Sequence, residues 1–252
     1  MNLLRSRFSG VVGIIGIIAG WYGLSESHIF ANTLVPYPHQ VFQSLILLLL
    51  KGTILGDTTL TLYRTAISFT FSALVGIPLG LILGYSKTAY RMFLPVVDFF
   101  RSVPATALFP LFILFFGISD LSVFAATVFG AIFLIIINAM YGVNNANKSR
   151  IFWAKSMNAS QIQIFKKIVF YDALPYVFVG LRQALSISLI IVIVTEMFFG
   201  SGNGLGYRIF NFNLLYDSSN MYAVIILVGL IGYVLNQVFV KFEKKVVHWI
   251  GE

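Results

Sequence analysis

Residues 148–175 read KSRIFWAKSMNASQIQIFKKIVFYDALP, followed by an apolar run at 177–200 and the glycine-rich segment SGNGLG at 201–206. The first stretch is polar and basic, although the whole chain is 58% hydrophobic and 10% charged. A typical soluble domain carries about 25% charged residues. Because charged residues are too few here to cover a water-facing surface, we expect lipid to cover much of the protein. The basic stretch then needs a polar partner or surface of its own.

Apolar runs long enough for a bilayer, which takes about 20 helical residues, predict an all-α integral membrane protein with six transmembrane helices. The predicted spans are 8–24, 59–85, 94–117, 121–141, 174–199 and 221–240. The first follows Arg5 and Arg7 and resembles a signal peptide, but Trp21 and Tyr22 are typical of an interfacial anchor, so we interpret it as a retained span. No linker or repeat is visible, which predicts one transmembrane domain over 1–252.

Two sequence features predict how the spans pack. The third span contains three prolines, which free backbone carbonyls and therefore indicate a kinked helix facing protein or a wet cavity. These prolines are Pro95, Pro104 and Pro110. The second span has glycines at four-residue spacing, which lets a neighbouring helix approach closely. These glycines are Gly76, Gly80 and Gly84. The apolar run at 45–50 is too short to span, and we expect it at the interface or against the bundle.

The distribution of lysine and arginine predicts the orientation of the chain, because cytoplasmic loops carry an excess of both. Six spans place both termini on one side. That side has twelve basic residues outside the spans: Arg5, Arg7, Lys87, Arg91, Lys148, Arg150, Lys155, Lys166, Lys167, Lys241, Lys244 and Lys245. The other side has only Lys51 and Arg208. The termini and the basic loop are therefore predicted to be cytoplasmic, and this topology signal also accounts for the net charge of +8 without nucleic acid.

The basic loop at 148–172 reads as a helix, a break and a second helix. Asn147 or Ser149 can cap the first helix. Asn158 then interrupts it, because asparagine tolerates a left-handed backbone better than other non-glycine residues. Ser160 can cap the second helix, which carries an apolar stripe. The stripe consists of Ile164, Phe165 and Ile168.

The first helix of this loop exposes Phe152 and Trp153 where lipid cannot cover them all. Exposed aromatics of this kind suit insertion into the groove of a partner protein. The alternative is that the loop folds back onto the membrane and its lysines meet anionic headgroups. The residues alone leave both interpretations open.

Besides Arg64 in the second span, four charged residues fall within or at the edge of the predicted spans, where such groups are functional candidates. Asp98 and Arg101 are three residues apart and can pair on one helix face, whereas Arg182 and Glu196 lie near opposite ends of the fifth span. Together with Pro104 they form the candidate translocation path, which would favour an anionic substrate. The alternative is that they only brace the bundle.

Several kinds of chemistry are excluded by the residues present. The chain has no cysteine, no GxxxxGK[ST] phosphate loop and no cluster of His, Asp and Glu with metal-ligand spacing. The segment GSGNGLG lacks the lysine of a phosphate loop and is interpreted as a turn at the outer mouth. No catalytic, cofactor-binding or metal-binding residue is therefore predicted in this chain.

The basic loop resembles the EAA loop of permeases from bacterial binding-protein-dependent ABC importers. Matching segments in the loop and the following span are Ala154, Ala159, 165–169, 173–175 and 180–182. Segments 195–197 and 202–207, and upstream 76–80, 101–104 and 116–118, resemble the subfamily that imports sulfonates, taurine, nitrate, bicarbonate or pyrimidine precursors. The resemblance runs from about Pro36 to the end of the sixth span, and the shared order and spacing make it specific.

This resemblance implies a type I (MetI-like) permease fold whose coupling helices lie between helices four and five. The implied partners are a second permease subunit, identical or not, two ATPase subunits that bind ATP and Mg²⁺, and a periplasmic or lipid-anchored substrate-binding protein. The implied location is the inner membrane, in contact with its lipids. The residues expected to couple the chain to the ATPase are Phe152, Trp153, Ala154, Lys155, Asn158, Ala159, Phe165, Lys166 and Pro175.

Two positions depart from the family pattern. The Glu-Ala-Ala start is Phe152-Trp153-Ala154 here, so the usual acidic contact with the ATPase is missing and an aromatic plug is expected to replace it. The loop glycine is Asn158, which predicts a turn with positive φ.

Three other classes of membrane protein fit the sequence less well. An ion- or proton-coupled secondary transporter would need inverted repeats or a mid-membrane proton relay, and neither is visible. A membrane-embedded enzyme would need paired acids, a Ser/His pair or metal ligands inside spans. A membrane subunit of the energy-coupling-factor type fits the order of six spans and the GxGLG segment less well.

Overall fold

The computed structural model describes residues 2–27, 29, 34–198 and 202–248, with side chains from residue 12 onward. Within these ranges the chain forms helices and no strand. The helices are α1 (Asn2–Glu26), α2 (Pro38–Leu50), α3 (Leu55–Tyr85), α4 (Lys87–Ser102), α5 (Phe109–Phe116), α6 (Asp120–Asn144), α7 (Lys148–Ser156), α8 (Gln161–Ile164), α9 (Phe170–Phe198), α10 (Leu205–Leu214) and α11 (Ser218–Val246). A 3₁₀ turn, Ala105–Leu108, precedes α5, and a π-helical turn, Phe165–Val169, joins α8 to α9.

Four helical runs of the described chain are long and apolar enough to cross a membrane: α3, α6, α11 and the continuous run Gln161–Phe198. The pair α4 and α5 makes a fifth if the bent pair counts as one span. The predicted first span at 8–24, which would bring the count to six, stays a prediction. The side chains of residues 1–11 lie outside the described part, and the apolar helix found in the rest, Val12–Glu26, is shorter than a span.

Several helices extend beyond the spans predicted for them. The helix predicted at 59–85 begins at Leu55, that at 121–141 ends at Asn144, and that at 174–199 begins at Phe170. The helix predicted at 221–240 begins at Ser218 and continues to Val246. Its start is fixed by Asp217, whose Oδ1 accepts the Asn220 N–H at 3.2 Å. Polar caps and turns outside the apolar runs thus set helix ends that hydropathy alone does not reveal.

The core is built where α6 packs between α3 and α9. The close approach predicted from the glycines of α3 is confirmed. A Cβ atom at Gly80 would lie 2.6 Å from both the Cβ of Ala139 and the carbonyl oxygen of Ile136, and one at Gly84 would lie 2.9 Å from the Cα of Met140. The helices can approach this closely only because these positions carry no side chain.

We expect Gly80→Ala to destabilise the bundle by about 1–3 kcal/mol, because the added methyl group overlaps the backbone of α6. Gly229 provides the matched control, since a Cβ there meets nothing within 4 Å and Gly229→Ala should be neutral or stabilising. Thermal unfolding of both purified variants in detergent measures the difference. Equal melting temperatures would contradict the close packing of α3 on α6.

The predicted span at 94–117 is not one helix but two, bent by 76°. The break falls at Val103 and Pro104, both of which have extended backbones. A proline forces the residue before it out of the helical region, which explains why α4 ends there. Pro95 stays inside α4, whereas Pro110 lies in the first turn of α5, where the missing N–H costs little. The kink predicted from the prolines is confirmed, and it is sharp enough to separate two helices.

Two short helices lie beside the long ones. Helix α2 starts at Pro38 and packs Val41 and Leu45 against Ala223 of α11, which confirms that the short apolar run packs on the bundle. Helix α10 was missed, since 200–220 was predicted as a loop. Its Leu205 and Ile209 pack into the cluster that joins α9 and α11. The polar and glycine residues around α10 obscure its short apolar face.

Candidate functional site

The basic loop folds into two short helices at the end of the bundle where α3 and α6 terminate. Asn147, one of the two residues predicted as the cap, caps α7. Its Oδ1 accepts the Arg150 N–H at 3.1 Å. Asp172, in the first turn of α9, holds this end of the loop through an ion pair of 2.8 Å with Arg150 and a hydrogen bond from the Asn147 N–H at 2.9 Å. Phe152 and Trp153 are exposed. The helix α7 is thus anchored at its start and presents aromatic side chains outward.

The turn between α7 and α8 has the left-handed residue that the sequence predicted. Asn158 has a φ of +58°. The Ala159 N–H donates to the Ala154 carbonyl at 3.0 Å and the Asn158 N–H to the Lys155 carbonyl at 2.9 Å, which closes the end of α7. Ser160 then caps α8 in a reciprocal pair with Gln163, as predicted. Successive caps on both sides of Asn158 fix the angle between the two short helices.

Helix α8 is fastened to the bundle through the end of α3. The Tyr85 hydroxyl donates to Oε1 of Gln161 at 2.9 Å, and its ring meets Phe165 edge-on at 5.1 Å. Ile164 is buried, while Lys166 and Lys167 are exposed. The π-helical turn, which was not predicted, joins α8 and α9 into one continuous helical run. Pro175 lies inside α9 and is half-buried. Such π turns often mark functional positions in helices.

A second candidate site lies at the break between α4 and α5. A cavity of about 370 Å³ is lined by Arg101, Pro104 and Thr106, and across from them by Gly130 of α6 and Ile190 of α9. The predicted pairing is confirmed, because Nη2 of Arg101 lies 2.6 Å from Oδ1 of Asp98. Both side chains are substantially exposed, so Arg101 can contact a ligand without any rearrangement of buried side chains.

The other two charges of the candidate path lie elsewhere. Arg182 does not line this cavity, and its Nη1 lies 3.9 Å from Oε2 of Glu243 on α11, too long for a hydrogen bond. Glu196 lies at the opposite end of α9 and is fully buried. The structure therefore brings Asp98, Arg101 and Pro104 together and leaves Arg182 and Glu196 apart from them.

Glu196 is the centre of a polar network that sequence reasoning did not find. Arg64 donates to its Oε1 at 2.8 Å, the Thr61 hydroxyl to its Oε2 at 2.9 Å, and the Gly206 N–H to Oε2 at 3.0 Å. Arg64 also reaches Oδ1 of Asp120, at 2.5 Å. These bonds join the starts of α3, α6 and α10 to the end of α9.

A second branch of this network holds the glycine-rich segment. Oδ1 of Asp57 accepts the Gly204 N–H at 2.7 Å, while Oδ2 accepts from Nε of Arg208 at 2.6 Å. The Leu205 N–H donates to the Thr61 hydroxyl at 3.0 Å. Gly204 has a φ of +107°, and a Cβ there would collide with the carboxylate of Glu196. Consecutive backbone amides of this segment therefore face acceptors of the bundle, which supports its interpretation as a structural turn.

The described chain is thus an all-helical membrane bundle with a broken span, a cavity at the break that Arg101 lines, and a basic helical elbow. Residues 76–248 match the family described as binding-protein-dependent transport system inner membrane component, and the chain belongs to that family. It is a multi-pass membrane protein and the translocation subunit of an ABC importer.

Relatives in this family carry related names. The chain is 27% identical over 248 residues to the putative aliphatic sulfonates transport permease protein SsuC of Bacillus subtilis (strain 168), covering 97% of this chain and 90% of the relative. It is 30% identical over 187 residues to the nitrate import permease protein NrtB of Leptolyngbya laminosa, covering 74% of this chain and 67% of the relative. A chain of the inward-facing MetNI methionine ABC transporter superposes on this chain with a TM-score of 0.66 at 20% sequence identity. The superposition covers 77% of this chain and 95% of the other, so the two share the fold.

Proposed function

We propose that this permease carries a small anion, such as a sulfonate or nitrate, and that a separate ATPase drives it through the helix–turn–helix of α7 and α8. The observation that carries the proposal is the anchored helix α7, which keeps Phe152 and Trp153 exposed in a chain otherwise adapted to lipid. Aromatic side chains held outward on a fixed helix suit a partner's groove.

The coupling surface that we propose extends over α7, the turn and α8. Phe152 and Trp153 would enter the ATPase groove, while the half-buried Ala154 and Ala159 seat the elbow on the bundle. Asn158 sets its angle, and Phe165, Lys166 and Pro175 connect it to α9. The lysine and arginine distribution supports a cytoplasmic position for this surface and for both termini.

The assembly that we propose contains two permease subunits, each a single domain over 1–252, two ATPase subunits and a substrate-binding protein outside the membrane. ATP and Mg²⁺ would bind in the ATPase subunits. The membership of the chain in a binding-protein-dependent family supports this set of partners.

Mechanistically, closure of the ATPase pair on ATP would move α7 and α8 as one piece, since caps and the bond from Tyr85 to Gln161 fix them to each other and to α3. The run Gln161–Phe198 would carry this motion along its length to Glu196, where the glycine-rich segment is tied. Hydrolysis would restore the starting position. This is a two-state element biased by a distant ligand.

An anionic substrate is supported by the relatives' names and by Arg101 at the cavity beside the helix break. A guanidinium offers several donors to a sulfonate or nitrate group and stays charged at any physiological pH. Pro104 keeps the helix ends apart, so backbone polar groups at the break can face the same cavity.

The test is uptake into liposomes that contain the permease, the ATPase and the binding protein encoded beside it. Uptake of labelled sulfonate or nitrate should require ATP and the ATPase, and it should survive collapse of the proton gradient. Uptake that persists without the ATPase but stops with the proton gradient would favour a secondary transporter instead.

We expect Arg101→Gln to lower the ATP-driven uptake of an anionic substrate about tenfold, because the cavity loses its cation. Assembly with the ATPase should not change, since the side chain is 42% exposed and its loss leaves no buried charge. The matched control is Arg91→Gln, which removes an arginine outside this cavity. Unchanged uptake and assembly in Arg101→Gln would contradict a role in the path.

A further inference from the structure

A cationic cavity of about 400 Å³ lies under the elbow, between the end of α3, the start of α4, the end of α6 and helix α7. Lys87, Lys148 and Lys155 line it, and none of its lining side chains is acidic. Lys148 and Lys155 are two helical turns apart on one stripe of α7, so they approach the cavity from the same helix face. Three lysine side chains thus line one space large enough for a polar ligand.

The positive charge of this cavity has no internal counter-charge. Among the described residues, none of the three lysines forms an ion pair with a carboxylate. The acidic residue at the base of the loop, Asp172, is already engaged by Arg150 and the Asn147 N–H. Like charges gathered without a partner repel one another, so an anion bound between them would be stabilised.

An apolar cavity of about 290 Å³ lies directly beside the cationic one. Ile82 at the end of α3 and Ile162 and Phe165 of the elbow line it. The two cavities share Tyr85 and Gln161, whose hydrogen bond forms part of the wall of each. Ile82 is 66% exposed and Ile162 is 68% exposed, so this groove is open along its length.

The position of the pair of cavities agrees with a membrane boundary. Tyr85 and Asn144 are the last residues of α3 and of α6, the helices that span, and both residues border the cationic cavity. In a bilayer, lipid headgroups and the upper part of acyl chains meet a spanning helix near its ends. A ligand that matched both walls would carry an anionic group on one side and a hydrocarbon chain on the other.

We propose that the paired cavities bind one anionic phospholipid, with its phosphate among Lys87, Lys148 and Lys155 and an acyl chain along Ile82, Ile162 and Phe165. Basic pockets between transmembrane helices are suited to such headgroups. A free phosphate ion would use the lysines but gain nothing from the apolar groove. The bound lipid would join α3 to the elbow, whichever substrate the permease carries.

The test is native mass spectrometry of the full chain in detergent, titrated with phosphatidylglycerol or phosphatidylcholine. The chain should retain phosphatidylglycerol in preference to phosphatidylcholine, and the triple variant Lys87→Gln, Lys148→Gln, Lys155→Gln should weaken its binding at least tenfold. The matched control Lys241→Gln, Lys244→Gln, Lys245→Gln removes the same charge from α11 and should change binding less than twofold. Equal losses in the two triple variants, or no preference for phosphatidylglycerol, would overturn the site.

A second pair of variants separates the lipid from free phosphate. Ile162→Gln should weaken phosphatidylglycerol binding several-fold, while Met157→Gln, an 82% exposed residue of the same loop that lines neither cavity, should not. Inorganic phosphate at constant ionic strength should not raise the melting temperature of the chain, whereas phosphatidylglycerol should raise it. Stabilisation by phosphate equal to that by the lipid, with Ile162→Gln unaffected, would assign the cavity to a soluble anion and overturn the lipid site.

Discussion

Glu196→Ala is expected to destabilise the chain by about 3–5 kcal/mol, because it removes the central acceptor of a buried network. The carboxylate is fully buried and accepts from Arg64, Thr61 and the Gly206 N–H. Without it, the guanidinium of Arg64 loses its buried acceptor, and two further donors, the Thr61 hydroxyl and the Gly206 N–H, lose a partner. Unfolding of the purified chain in detergent, followed by tryptophan fluorescence, gives the change in free energy.

The exposed pair on α4 supplies the control for this prediction. Asp98→Ala breaks an ion pair of similar length, but both partners are substantially exposed, so a loss below about 1 kcal/mol is expected. The double variant Arg64→Leu with Glu196→Leu should recover part of the loss, because it leaves no unpaired buried charge. If Glu196→Ala were no more destabilising than Asp98→Ala, the network would not hold the bundle together.

Asn158→Val is expected to lower ATP-driven uptake about tenfold or more, whereas Asn158→Gly should retain most of the uptake. The residue has a φ of +58°, a conformation that glycine adopts freely and that a β-branched side chain strongly disfavours. Valine would therefore shift the backbone and change the angle between α7 and α8. Uptake and substrate-stimulated ATP hydrolysis, measured in the same liposomes, report the effect.

The neighbouring residue provides the control for the turn. Met157 has a φ of −89°, and it is 82% exposed, so Met157→Val should leave uptake within about twofold. The Asn158→Val permease should still bind substrate-binding protein, since the change lies at the other end of the bundle. Equal uptake by the valine and glycine variants at position 158 would rule out the turn as a coupling device.

Local features of the fold were predictable because they depend on residues close in sequence. Asn147, Asn158 and Ser160 occupy their predicted cap and turn positions, since side chains of this kind bond to backbone groups within a few residues. The stripe of glycines on α3 and the pair of Asp98 with Arg101 follow in the same way from helical periodicity. The roles proposed for these residues in coupling and in the path stay predictions.

The features that sequence reasoning missed depend on distant parts of the chain. Glu196 was assigned to the candidate path, but its partners Thr61 and Arg64 lie 135 and 132 residues away, and no local signal joins them. The acceptors of the glycine-rich segment are equally remote, as Asp57 is 147 residues from Gly204. The one available signal was that Asp57, Arg64 and Glu196 are charged groups beside apolar runs, which requires buried partners.

The angle between α4 and α5 could not be predicted from the residues near the break either. Three prolines indicated a kink, but they differ in effect. Pro95 and Pro110 lie inside helices, and only Pro104 lies at the break. Which proline interrupts a helix depends on whether neighbours or a cavity can satisfy the freed carbonyls. Packing of α5 on α6, through contacts such as Phe109 with Val123, completes that environment.

The most direct test of the account uses the absence of cysteine from this chain, which makes any introduced thiol unique. Trp153→Cys places a thiol on α7, and Tyr216→Cys places one at the opposite end, at a position that is 79% exposed. With a short bifunctional reagent, Trp153→Cys should cross-link to the ATPase subunit in the assembled complex, and Tyr216→Cys should instead react with an impermeant maleimide added outside the cell. Labelling of Trp153→Cys from outside, or no cross-link to any ATPase subunit, would contradict the cytoplasmic coupling elbow.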